Sequence, residues 1–179
     1  MRHLNKLGYL GLILVTTVIS TSWLGFTPRW FQPVQLWLLV SLLLLPFGWR
    51  LSIVTAVLLG WSADVFVPSV FFGSHIIAYP AAIGLTALVI NSWHSPRTWL
   101  KLIGGVAIGS ALAWLLIFIL ELIAGLFSFR AVVSNISLGN LAWALSSIVI
   151  NCALTLALMP LLIHFIKQRT DNRQYGSAY

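Results

Sequence analysis

Asp64, Glu121, His75 and Arg130 are the residues with chemical reach in a chain that offers little of it. A carboxylate near a histidine is a donor set for moving a proton, holding a polar ligand or gripping a partner chain. Asp64 lies 13 residues past Leu51, the start of the third apolar run, roughly 20 Å along a helix. Glu121 lies 19 residues past Leu102, roughly 29 Å up the fifth run. His75 opens the fourth run, and Arg130 and Arg29 fall in loops on the same side. The four residues are therefore expected to form one outer polar cluster. A charged side chain in hydrocarbon costs about 2.5–3.5 kcal/mol on insertion scales unless it is paired, protonated or wet. One reading of Asp64 is a ligand, proton or partner site. The other is that it accepts backbone N–H groups from the loop at 68–73 and fixes that turn. Glu121 reads equally well as a headgroup-level residue, and His75 as a hydrogen-bonded interfacial histidine.

Other chemistries find no support. A metal centre needs three or four convergent ligands. Of His3, His75, His94 and His164, three fall at one side of the apolar runs and one at the other. Cys152 is the sole cysteine, which excludes an internal disulfide and a thiolate metal site. There is no G-x-x-x-x-G-K-[ST], H-E-x-x-H or G-x-S-x-G segment. No catalytic residue, metal or cofactor is expected.

The elements that place these residues are apolar helices. Of 179 residues, 60% are hydrophobic and 7% charged, with a mean hydropathy of +0.99. A soluble domain is about 25% charged, so lipid is the expected solvent of an all-α integral membrane protein. Crossing a core about 30 Å thick takes roughly 17–25 helical residues. The runs predict six spans at 7–26, 34–48, 51–67, 74–91, 102–127 and 140–166. The second is short, bounded by Pro33 and the Gly48-Trp49-Arg50 turn. Residues 1–166 thus form one six-span bundle, followed by a short, basic, mobile tail at 167–179.

Net charge is +7, from ten Lys/Arg against three Asp/Glu. With six spans, Arg2, Lys6, Arg50, Arg97, Lys101, Lys167, Arg169 and Arg173 share one side, and only Arg29 and Arg130 face the other. That asymmetry predicts both termini on the cytoplasmic side. These charges are expected at lipid headgroups, so no nucleic acid is implied. Several of the nine tryptophans flank the apolar runs, at interface depth. The opening Met1-Arg2-His3-Leu4-Asn5-Lys6 resembles the start of a signal peptide, but Ser20-Thr21-Ser22-Trp23 is a poor cleavage site, so the first span is expected to stay.

Two stripes bear on packing. Gly105, Gly109 and Ala113, beside Gly104, put small residues on one face of the fifth span, where two backbones approach closely. Asn140, Ala144, Ser147, Asn151 and Thr155 line the sixth, where polar side chains hydrogen-bond between helices. Packing within the bundle is the default for both, and a contact with another chain the alternative.

The stretch Gly60-Trp61-Ser62-Ala63-Asp64-Val65-Phe66-Val67-Pro68, followed by Phe72-Gly73-Ser74-His75 and an apolar helix, resembles the central signature of the rod shape-determining MreD family. The Pro33…Trp37-Leu38-Leu39 approach to the second span, the basic turn at Arg50 and the overall length also fit. The resemblance implies a non-catalytic subunit of the bacterial elongation machinery in the cytoplasmic membrane. Its partners would be an MreC-like bitopic protein and, through the assembly, a RodA-type polymerase with its transpeptidase and the MreB filament. Lateral peptidoglycan synthesis and rod shape depend on that assembly. By motif, Gly60, Asp64 and Gly73 carry over as structural and partner-contact positions. The alternative is a substrate-binding subunit of an energy-coupling-factor vitamin transporter, which also has six spans. There the Asp64/His75/Glu121 cluster would bind a small solute. Such proteins offer an Ala-rich first helix to the coupling subunit, and the first span here has no alanine.

Overall fold

Long runs of Leu, Ile, Val and Ala fold as helix in lipid because only a helix satisfies every backbone group within its own segment. The computed structural model describes residues 2–26, 36–66, 72–93, 98–128 and 138–175, and among these it holds helices and turns but no strand. The helices are α1 (Arg2–Phe26), α2 (Leu36–Leu43), α3 (Trp49–Phe66), α4 (Ser74–Ser92), α5 (Thr98–Ser128) and α6 (Leu138–Tyr175). A 3-10 turn at Leu45–Phe47 links α2 to α3. Pro46 lies in that turn, and Gly48 follows at φ 146°, a conformation that costs a side-chain-bearing residue strain.

Four helical segments are long and apolar enough to cross a membrane: Trp49–Phe66, Ser74–Ser92, Trp99–Leu126 and Ala144–His164. Gly11–Ser22 of α1 and Leu36–Phe47 are shorter apolar helices. Helix α6 runs on through the first part of the segment expected as a tail, to Tyr175. Nothing between 167 and 175 is Gly or Pro, and Lys, Arg and Gln are good helix formers, so no residue there ends the helix. Residues 176–179, Arg29, Pro33, Pro68, Ser69, His94, Arg97 and Arg130 lie outside the described residues.

Sequential helices from α3 onward pack as antiparallel neighbours, and α1 lies against α2 and α3. The nine residues 129–137 reach at most roughly 32 Å, too short to return along α5, which is about 46 Å long. Helix α2 touches all five other helices, so the shortest element is the hub. Six of its eight residues are buried, Trp37, Leu38, Leu39 and Leu42 among them.

The interior is polar in places where a soluble core would be oily. Ser41, Ser52, Thr55, Thr86, Ser110, Ser147, Asn151 and Thr155 are fully buried. Leu88, Leu126 and Val149 are about two-thirds exposed (69, 66 and 67%). That distribution suits a lipid solvent, in which hydroxyl and amide groups gain by facing inward. This is a membrane protein.

The small-residue stripe of α5 is used inside the bundle. A β-carbon on Gly109 would lie 2.4 Å from Leu42 Cδ2 of α2 and 3.1 Å from Thr86 Oγ1 of α4. One on Gly105 would lie 2.5 Å from Ile90 Cδ1, and one on Gly104 would overlap the Trp93 ring at 2.4 Å. Ala113 is fully buried on the same helix. Next to Gly109, Ser110 Oγ accepts a 3.2 Å hydrogen bond from Asn151 Nδ2 of α6. Ser52 Oγ of α3 donates to the Ser41 carbonyl of α2. These contacts put Ser41, Ser52, Thr86, Ser110 and Asn151 in one polar layer across five helices.

Candidate functional site

Asp64 stands in the last turn of α3, and its carboxylate reaches across to the first turn of α4. Oδ1 accepts from the His75 backbone N–H at 3.0 Å, and Oδ2 from the Ile76 N–H at 3.0 Å. Oδ1 also meets His75 Nδ1 at 2.8 Å. The Ser74 hydroxyl is 3.4 Å from Oδ1, a long contact, and 3.2 Å from His75 Nδ1. Asp64 is 6% exposed, as is His75.

The chain needs this arrangement because α4 has no cap of its own. Gly73, at the N-cap, has no side chain and takes φ 107°, a conformation that favours glycine. The first N–H groups of a helix lack intrahelical acceptors. Asp64 supplies two from the neighbouring helix, where the N-terminal dipole favours negative charge. Pro80, inside α4, cannot donate to the Ile76 carbonyl, so the opening turn relies more on Asp64 and less on its own ladder.

Gly60 lets the helices come this close. A β-carbon there would lie 2.7 Å from the His75 carbonyl oxygen and 3.0 Å from Ile76 Cα. Gly60, Asp64 and Gly73 therefore act on one joint: the first admits α4, the second caps it and the third turns the chain into it. Behind the joint, the Tyr79 ring is 1% exposed and meets the His75 ring edge-on, with centroids 5.3 Å apart.

The arrangement holds backbone better than it would relay a proton. A nucleophile–base–orienter relay uses both imidazole nitrogens, one for the hydroxyl and one for the carboxylate. Here Ser74 and Asp64 meet the same nitrogen, Nδ1. With a neutral ring, the 2.8 Å contact puts the proton on Nδ1, donated to Asp64. Among the described residues no group of three His, Cys, Asp or Glu side chains is placed to hold a metal ion.

Of the expected outer cluster, Asp64 and His75 touch. Gly105 opposite Ile90 and Gly109 opposite Thr86 set the α4–α5 register, which brings Glu121 to the height of Ser74. Glu121 is part-buried and engaged in an interaction of its own. Arg130 lies outside the described residues. In the packing set, Ser147 and Asn151 are fully buried, with Asn151 bonded to Ser110. Sequence reasoning placed the donors to Asp64 in the loop at 68–73; among the described residues the backbone donors are in α4. It also missed Ser74 and Tyr79. The spacing of His75 and Tyr79, four residues apart on one helix face, was the available signal for the latter. No family model, no curated protein and no solved structure matches the chain.

Proposed function

We propose that this chain is a non-catalytic scaffold subunit of the bacterial cell-wall elongation complex, similar to the MreD family. In this reading it lies in the cytoplasmic membrane with six spans and both termini inside, the topology that the eight-to-two distribution of basic residues favours. It binds an MreC-like bitopic protein and so supports the RodA-type polymerase, its transpeptidase and the MreB filament.

One observation carries the reading. The three residues singled out by the resemblance, Gly60, Asp64 and Gly73, converge on the α3–α4 joint, where the polar groups of Asp64 are taken up by backbone N–H groups and His75. Such a joint suits a subunit that presents a fixed helical face to a partner, because its groups are spent on geometry and not on a substrate.

The test is co-expression with an MreC-like protein and affinity capture from detergent-solubilised membranes, with depletion in a rod-shaped host beside it. Retention of the partner and rounding of depleted cells are expected. Unchanged cell shape together with no retained partner would refute the proposal. Reporter fusions at both termini check the topology.

A further inference from the structure

Arg50 sits at a depth that a flat leaflet does not accommodate. Gly60 of α3 lies against His75 and Ile76 of α4, so Arg50, ten residues nearer the start of α3, is level with Leu85 and Thr86. Thr86 in turn lies against Gly109 of α5. A second route, from the Ser52–Ser41 bond and the Leu42–Gly109 contact, puts Arg50 level with position 108 of α5. Lys101, near the start of α5, is seven to eight residues further out, roughly 10–12 Å.

Helix α6 extends with α5. The Ser110–Asn151 bond places Pro160 level with Lys101. Leu158, Leu161 and Ile163, exposed by 42, 57 and 41%, all lie outward of the level of Arg50. Headgroups add only about 5–7 Å to each side of the hydrocarbon core. A flat plane drawn through Arg50 would leave those side chains and Trp99 in water. A flat plane drawn through Lys101 would leave Arg50 among acyl chains, where a cation needs an anion beside it.

Arg50 is exposed, and its guanidinium lies 5.5 Å from the centroid of the Trp49 ring. That ring satisfies one face of the cation but supplies no anion. Among the described residues no carboxylate is within ion-pair distance of it. Asp64 is at the far end of α3, Glu121 is level with Ser74, and Asp171 lies 11 residues outward of Pro160 on α6.

We propose that Arg50 holds the phosphate of a membrane phospholipid drawn below the general headgroup plane, so that the leaflet is thinned over the α2–α3 turn. The planar guanidinium fork matches two phosphate oxygens. The Trp49 indole, 57% exposed, is an amphipathic ring of the kind that settles at the headgroup level beside it. The inference concerns lipid alone and stands apart from the proposed scaffold role.

The experiment is solid-state NMR of the full chain carrying isotope-labelled arginine, reconstituted in phosphatidylglycerol and in phosphatidylcholine bilayers. The readout is dephasing of guanidinium carbons by phosphorus. The Arg50 resonance is identified by its loss in Arg50→Gln and, should that variant not fold, in Arg50→Lys. Dephasing of that resonance in both lipids, unchanged by inorganic phosphate in the buffer, is expected, because both lipids carry the same phosphodiester. No dephasing overturns the proposal. Dephasing that appears only when inorganic phosphate is added also overturns it, since the ligand is then a free ion.

Discussion

Adding one methyl group at position 60 loads the α3–α4 joint directly. The β-carbon of Gly60→Ala would sit 2.7 Å from the His75 carbonyl oxygen and 3.0 Å from Ile76 Cα, both backbone atoms that no rotamer change can move aside. Restoring ordinary contact at 3.4 Å parts the helices by about 0.7 Å. The same movement lengthens the two 3.0 Å bonds from the His75 and Ile76 N–H groups to Asp64, to roughly 3.7 Å, beyond useful range. Hydrogen bonds to a charged group contribute about 1.5–3 kcal/mol each. Overpacking of this kind costs about 1–3 kcal/mol, against a helix-propensity gain of at most about 1. Partial loss of both bonds plus the strain puts the net destabilisation at roughly 2–4 kcal/mol. Gly84, in α4, has nothing within 4 Å of its would-be β-carbon. Gly84→Ala should therefore keep only the propensity gain and be neutral or stabilised by up to about 1 kcal/mol. Reversible unfolding of the full chain in lipid bicelles, both variants beside the parent, reads the difference. Equal stability of the two alanine variants would refute the close-approach account of Gly60.

Three further experiments probe the same framework. Asp64→Ala leaves two helix N-terminal N–H groups and a buried imidazole without their acceptor, and should cost about 3–5 kcal/mol. Asp64→Asn keeps one acceptor and should cost clearly less, so an asparagine variant as unstable as the alanine one in the same assay would count against the capping role. Gly73→Ala meets φ 107° and should cost about 1–2 kcal/mol, with Gly73→Asn milder; thermal unfolding in detergent ranks the two, and the reverse order would contradict the left-handed turn. A double-mutant cycle of Asn151→Ala and Ser110→Ala should give a coupling of about 0.6–1.7 kcal/mol, and a coupling of zero would remove the 3.2 Å bond as a determinant of α5–α6 register.

Much of the helical layout was legible because its signals are local. Gly48 and Gly73 punctuate apolar runs, and chain punctuation acts on the residues that carry it. The spacing of Gly105 and Gly109 announced close packing, yet nothing in a stripe of small residues says which helix fills it; Leu42, Thr86 and Ile90 do so from two different elements. The cap on α4 was half legible. Asp64 stood out as a carboxylate at a helix end, but its acceptance of N–H groups 11 and 12 residues away depends on the turn at Gly73 folding α4 back. Of the polar layer, only Asn151 was legible, as part of the polar stripe on the sixth span. Ser41 and Thr86 each bond the carbonyl four residues back, to Trp37 and Ala82, so each looks self-sufficient on its own helix. Only the packing of five helices shows that they share a level.

The place of α2 at the hub bears on the order in which the bundle assembles. Leu36–Phe47 is a 12-residue apolar helix, short of the roughly 17 residues that hold a helix across a bilayer unaided. Its neighbours α3 to α6 each contain a segment of membrane length and can enter lipid as independent helices. The element that all the others touch is thus the one with the least claim to a transmembrane position before they arrive. It is joined to α3 by the tight turn at Gly48 as the first arm of a hairpin, with Leu42 against Gly109 of α5. The place of the smallest helix therefore depends on its neighbours, and a chain interrupted before α5 is made would leave Leu42 of α2 without the Gly109 face it packs against.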